Sequence, residues 1–382
     1  MNLPKNVFYV GVNDHEIDLF EGQYVVPNGI SYNSYVIIDE KIAVLDTVDA
    51  RFGEEWLKNV KSVCSKEPDY LIVSHMEPDH SQSILLFKKT FPNAIVVSSQ
   101  KAFLYMKQFY KDEFENSRIV VNENDTLSLG EGTLTFITAP MVHWPEVIMS
   151  YYDKNKILFS ADGFGKFGAL DVEEDWACEA RRYYFGIVGK YGAMVQKVLQ
   201  KASALDIQTI CPLHGPVLSE NLSYYISLYN TWSSYGVETE GVAVFYNSVY
   251  GNTKKAVEIL EDKLLAKGVK VSVADLARDD MAEAVEDAFR YGKIVLCGTT
   301  YNGELFPCMR EFVNELLERG YKNRKIGVIE NGTWAPAVIR KVKDAFSKSQ
   351  NVSICENSVT ILSALSNENL QKIDALIEEI LG

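Results

Sequence analysis

The chain has 382 residues, 47% of them hydrophobic and 24% charged, which is ordinary for a soluble globular protein but too long for one typical core, so two domains are expected. A net charge of -14 disfavours nucleic acid and anionic membrane surfaces as partners and leaves room for a small redox or protein partner. No apolar run reaches the roughly 18 residues of a membrane span, and Met1-Asn2-Leu3-Pro4-Lys5 lacks the apolar core of a signal peptide, so the chain reads as cytoplasmic.

Along the first part of the chain, hairpins alternate with helices. Ser34–Ile38 and Ile42–Asp46 are β-branched runs joined by a short polar turn, and Phe52–Cys64 reads as an amphipathic helix. Tyr70–Ser74 reads as a buried strand and runs into His75-Met76-Glu77-Pro78-Asp79-His80. Ala94–Ser98 is a short strand and Lys101–Tyr110 a helix. Thr126–Leu129 with Thr133–Ile137, and Val147–Tyr152 with Ile157–Ser160, are further hairpins, and long helical patterns cover Glu173–Leu205. So many tight antiparallel turns exclude a doubly wound sheet here.

Near residue 240 the style changes. Val242–Tyr246, Val269–Ala274, Lys293–Cys297, Lys325–Ile329 and Val352–Cys355 are five short apolar strands. Helical patterns at Lys254–Lys267, Met281–Tyr291, Met309–Arg319 and Ala335–Ser347 separate them, and a last helix covers Asn367–Leu381. This alternation predicts a five-stranded parallel sheet covered on both faces. Ser233–Gly241 reads as a linker, which places the domains at 1–240 and 241–382.

The chemistry starts with the His75–His80 stretch. Two imidazoles and two carboxylates directly after a strand suit a first-row metal of mixed donor preference, iron or manganese rather than a thiolate-bound ion. The six cysteines (Cys64, Cys178, Cys211, Cys297, Cys308, Cys355) are dispersed with no C-x-x-C pair, and buried thiols are their default reading. Of only five histidines, His143 and His214 also sit in loops after predicted strands, and Asp162 follows Ile157–Ser160. Seven donors in one structural context, His75, Glu77, Asp79, His80, His143, Asp162 and His214, are too many for one ion. They predict two metals sharing a carboxylate, with positions left open for substrate. His15 lies outside the pattern and is expected to be a surface or structural residue.

This spacing resembles the metallo-β-lactamase superfamily, whose zinc hydrolases carry His-x-His-x-Asp-His, but Glu77 stands where those have the second His. The His-x-Glu-x-Asp-His form with a later His, Asp and His resembles the flavodiiron proteins. The resemblance implies that His75, Glu77 and His143 bind the iron nearer the flavin, that Asp79, His80 and His214 bind the other, and that Asp162 bridges them.

The second region opens with Asn247-Ser248-Val249-Tyr250-Gly251-Asn252-Thr253 between its first strand and first helix. Hydroxyls, Gly and Asn at a helix N-terminus form a phosphate cradle, and a small neutral one suits the monophosphate of FMN. Within this second region neither a Gly-x-Gly-x-x-Gly nor a Walker A motif is present. Loops after the third and fourth strands, Thr299-Thr300-Tyr301-Asn302-Gly303 and Asn331-Gly332-Thr333-Trp334-Ala335, share the same carboxyl edge, where Tyr301 and Trp334 could stack on a flavin ring. The arrangement resembles flavodoxins.

Together the motifs resemble the simplest flavodiiron architecture, a metallo-β-lactamase-like αβ/βα sandwich followed by a doubly wound flavodoxin-like sheet, with no Cys-rich module before Gly382. That resemblance implies reduction of O2 to water, of NO to N2O, or of both, with electrons passing from rubredoxin through FMN to two irons. It also implies a head-to-tail homodimer, or a dimer of dimers, that brings one subunit's FMN beside the other's irons. The alternatives are a metal hydrolase of the lactamase superfamily fused to a flavodoxin-like domain, and an electron carrier with a vestigial metal site. Preference between O2 and NO rests on residues around the ligands. Trp144, Lys166 and Phe167 neighbour the ligands in sequence, with packing or solvation as their default role.

Overall fold

A computed structural model describes residues 2–382 and separates into two compact units, Met1–Asn230 and Thr231–Gly382. The division lies before the 240/241 boundary read from the sequence. The stretch read as a linker is bound into the second unit: Arg324 donates to the Tyr235 and Gly236 carbonyls at 2.8 and 2.9 Å, and Thr239 already pairs with Tyr291. A polar, glycine-containing stretch looks like a linker from composition alone, but its carbonyls have a buried guanidinium to bond.

In the first unit, successive side chains of each strand point to opposite faces. A six-stranded sheet runs in the order Val7–Tyr9, Tyr35–Ile38, Ile42–Leu45, Tyr70–Ile72, Ile95–Ser98, Arg118–Val120. A five-stranded sheet runs in the order Thr126–Ser128, Thr133–Thr138, Ile148–Tyr152, Ile157–Phe159, Thr209–Cys211. Tyr35, Ile37, Leu45 and Ile72 of the first sheet join Leu134, Phe136, Ile148 and Phe159 of the second in one buried apolar cluster. The alternate residues Val36, Val44 and Leu71 are buried as well, so the first sheet is covered on both faces. The amphipathic pattern after Arg51 becomes the helix Gly53–Val63, whose buried Trp56 donates its indole N–H to Ser34 at 2.9 Å.

The long helical pattern at Glu173–Leu205 is not continuous. Trp176–Tyr183 passes into a π-helical turn, Tyr184–Val188, and a 3-10 turn, Gly189–Tyr191, before Gly192–Ala202 resumes. Gly186, Gly189 and Gly192 weaken helix propagation there. The short strands before residue 33 and the helix Ile84–Thr90 are too short to show a period.

The second unit is the expected doubly wound sheet. Its parallel strands lie in the order Val271–Asp275, Thr239–Tyr246, Tyr291–Tyr301, Arg324–Asn331, Val352–Ile354, so strand order reverses between this unit's first strand, Thr239–Tyr246, and its third, Tyr291–Tyr301. Ligands bind at such a switch point. Two details extend the five-strand expectation. The last strand is interrupted, with Val352–Ile354 and Val359–Ile361 pairing in turn with Arg324–Asn331, and Glu304–Leu305 adds an antiparallel pair. Among the described residues no helix is long and apolar enough to cross a membrane.

Candidate metal centre and phosphate-binding cleft

All seven expected donors gather at strand ends of the first unit. His75 follows Tyr70–Ile72, and Glu77 stands at the N-cap of a single helical turn, Pro78–Ser81, that carries Asp79 and His80. Pro78 at the first helical position favours the start of this turn. His143 lies between Thr133–Thr138 and Ile148–Tyr152, Asp162 follows Ile157–Phe159, and His214 follows Thr209–Cys211. Ala161, just before Asp162, takes a left-handed conformation with φ of 49°, which is uncommon for a residue with a Cβ and recurs at functional sites.

The donors form two groups. Nε2 of His75 and of His143 are 3.2 Å apart, with Glu77 Oε2 at 3.3 and 3.0 Å from them. Nε2 of His80 and of His214 are 3.1 Å apart, with Asp79 Oδ2 at 3.2 and 3.3 Å. Asp162 stands between the groups. Its Oδ2 is 3.3 and 3.2 Å from the first imidazole pair, and its Oδ1 is 3.4 and 3.7 Å from the second. Such spacings match neighbouring donors around an ion bound at ~2.0–2.2 Å. Asp162 is fully buried, and among the described residues neither its oxygens nor those of Asp79 have a hydrogen-bond partner. Buried charged oxygens left unsatisfied are strongly unfavourable, so the pattern fits a site built for cations.

The surroundings add residues that the sequence search for direct donors missed. Glu146 accepts from the Met76 N–H at 2.9 Å and lies 2.7 Å from His75 Nδ1 through the same oxygen. Its signal was a carboxylate just beyond a ligand histidine. The Ser31 carbonyl lies 2.7 Å from His214 Nδ1, a contact with no side-chain signature. Aromatic rings wall the imidazoles. Phe20, Tyr32 and Tyr183 lie 5.4, 6.1 and 5.5 Å from the His214 ring, and Trp144 lies 5.1 Å from that of His75. Phe167 packs against Phe20 and Tyr183. Lys166 is buried, paired with Glu174 and bonded to the Phe167 carbonyl at 2.9 Å. His15 is exposed and pairs with Asp171.

Electrostatics bind the groups to one another. Burial disfavours charge on His75, but Asp162 and the bonds to Glu146 and Glu77 outweigh it and hold its pKa well above the usual range. Burial works the same way on His143, where Asp162 and Glu77 prevail and raise it to about 9. Burial would raise Asp162, but the His75, His143 and His80 rings keep it well below the usual carboxylate range. Without an ion, protons on His75 and His143 do the neutralising. Glu21, at the tip of the hairpin between Leu19–Phe20 and Tyr24–Val25, lies close to the Glu77 carboxylate. Loss of water around its carboxyl and the Glu77 charge push it up to about 7.

In the second unit, the three expected loops line one cleft of about 700 Å³ at the carboxyl edge. It contains every residue of those loops except Asn247 and Gly251, together with Ser363. Gly251 sits in the turn itself with φ of 85°, where its N–H bonds Ser248 Oγ at 3.1 Å before the helix Asn252–Ala266 begins. Every lining residue is uncharged, so hydroxyls and backbone amides are the available donors, as a monophosphate requires. Tyr301 and Trp334 are half and four-fifths exposed, free to meet a planar ring. Ser363 was missed because it follows a short strand with no distinguishing loop motif.

Comparison with known proteins agrees with both halves. Residues 30–215 match the model of the ODP family of beta lactamases, and residues 243–355 match that of a flavodoxin domain. A nitric oxide reductase of Moorella thermoacetica is 27% identical over 97% of this chain and 95% of its own length. The crystal structure of the flavodiiron protein from Giardia intestinalis matches 99% of this chain and 95% of that one, with a TM-score of 0.91 and 26% identity. Rubredoxin oxygen:oxidoreductase from Desulfovibrio gigas shares the fold, with a TM-score of 0.91 and 22% identity over 100% of this chain and 97% of that one.

Proposed function

We propose that this chain, which belongs to the flavodiiron proteins, is an oxidoreductase that reduces dioxygen, nitric oxide or both at a two-iron centre served by FMN. The observation that carries the reading is Asp162, a fully buried carboxylate with one unsatisfied oxygen turned to each of two histidine pairs. His75, Glu77 and His143 would hold one iron, Asp79, His80 and His214 the other, and Asp162 both. Ser248, Thr253, Thr300 and Asn331, with the backbone around Gly251, would hold FMN. When bound, the irons and the flavin supply the electron transfer and the open coordination positions that a small diatomic substrate needs.

The chain's own residues prepare that chemistry. Glu146 and the Ser31 carbonyl fix the orientation of the His75 and His214 rings from behind, so that both present Nε2 inward. Phe20, Tyr183 and Trp144 replace water against those rings, which strengthens every charge interaction inside. Glu77 disfavours the hydrolase alternative, because a third carboxylate among the donors suits iron better than zinc.

We assign a rubredoxin-type protein as electron donor, in keeping with the name of the Desulfovibrio gigas structure. We also assign a head-to-tail dimer. Tyr250 and Trp334, 92% and 80% exposed at the cleft, support a partner surface there. The buried thiols of Cys211, Cys297 and Cys355 suit a reducing cytoplasm. The test is anaerobic purification with iron, zinc and flavin analysis, followed by steady-state rates with O2 and NO separately under reduced rubredoxin. Two irons and one FMN per chain with turnover of either gas are expected. Zinc without flavin would favour the hydrolase, flavin without metal the electron carrier, and a fully active monomer would refute the dimer.

A further inference from the structure

The two donor groups differ in what stands behind their imidazoles. His75 Nδ1 meets the Glu146 carboxylate at 2.7 Å, and the Glu146 side chain is wholly buried. The carboxylate is itself pinned, because the same oxygen accepts from the Met76 N–H and the Glu146 backbone carbonyl accepts from Ser99 Oγ at 2.8 Å. On the other side, His214 Nδ1 faces a neutral carbonyl, that of Ser31. Buried His80 Nδ1 has no hydrogen-bond partner among the described residues. Asp162 is shared, and of the other carboxylates in contact with the imidazoles among the described residues, Glu77 and Glu146 belong to the first group and Asp79 to the second.

A carboxylate accepting the outward N–H of a ligand imidazole makes that imidazole a stronger donor, and a buried negative charge nearby favours the higher oxidation state of a bound ion. We propose that Glu146 makes the two metal positions inequivalent, holding the ion at His75, Glu77 and His143 at a lower reduction potential than the ion at Asp79, His80 and His214. Glu146 is a positioning residue, since it acts through His75 and touches no reacting atom. The proposal rests on the two-iron reading above. It adds an order to that reading: the first electron to reach the centre settles at the Asp79, His80 and His214 position.

The test uses the iron-loaded full chain, its Glu146→Gln variant and its Glu146→Asp variant, each titrated with reductant and followed by electron paramagnetic resonance of the half-reduced centre. Wild type should show two midpoints. Glu146→Gln should raise the lower one by about tenfold in the oxidised-to-reduced ratio, ~59 mV for one electron. The upper midpoint should move much less, so the half-reduced population shrinks. Glu146→Asp, which keeps the charge, should recover part of the separation. Iron titration should show binding weakened about 10–100-fold at one position only in Glu146→Gln. A loaded Glu146→Gln protein with unmoved or equally moved midpoints would overturn the proposal and leave the two-iron reading intact. Equal loss of both irons in the two variants would make Glu146 a folding residue and would overturn the proposal in the same way. Wild-type protein without iron would overturn the two-iron reading itself.

Discussion

Stripping the metal should make the stability of the first unit fall as pH rises through the range where His143 titrates. The His143 pKa is lifted from 6.5 to about 9 because Asp162 and Glu77 overcome the cost of burying its charge. A group raised on folding stabilises fully below its unfolded value and loses that contribution as pH climbs through the folded one, so the window runs from about 6.5 to about 9. The shift corresponds to ~3 kcal/mol. His75 and His80 are raised as well and act in the same direction. Asp162 is lowered, so its contribution is lost only in acid, outside this window. Glu21, raised from 4.5 to about 7, adds a decline of the same sign at lower pH. The assay is urea denaturation of the chelator-treated full chain at pH 6, 7.5 and 9.5, reading the transition that shifts on adding back metal. Restored metal should flatten the dependence, since the ion replaces the protons, and metal affinity should rise over the same window. Stability that is flat or rising between pH 6.5 and 9.5, or an unchanged slope in His143→Gln, would refute the electrostatic account.

Glu77→His restores the ligand pattern of the zinc hydrolases, so the purified protein should carry less iron and more zinc by elemental analysis. Gly251→Ala meets no atom within 4 Å but forces a Cβ onto a backbone at φ of 85°. It should weaken FMN binding measured by flavin fluorescence through ~1–2 kcal/mol of strain in the phosphate turn, while far-UV dichroism stays unchanged. Trp56→Phe leaves Ser34 Oγ without its 2.9 Å indole donor in a fully buried place. Denaturation should show a loss of ~1–3 kcal/mol, and iron content should not change.

Which donors gather in the first unit and which loops line the cleft of the second was legible from the order of the amino acids alone. The seven donors stood out because His, Asp and Glu at the ends of apolar runs have no packing role to explain them. The neutral phosphate turn stood out because Gly251 and its hydroxyl neighbours lie between a strand and a helix. Strand–helix alternation after residue 240 was enough for a parallel sheet, since period and length are local properties. How those donors are shared out, and what stands behind them, came from tertiary packing. That Asp162 turns one oxygen to each histidine pair, that Glu146 backs His75 while a backbone carbonyl backs His214, and that Phe20 walls the site all depend on segments distant along the chain. The interrupted helix after Tyr183 and the anchoring of Tyr235 and Gly236 by Arg324 are of the same kind. Local pattern fixes which groups are available, but the packing of two sheets and their loops sets their partners, because a hydrogen bond or a shared ion requires proximity that no spacing along the chain encodes.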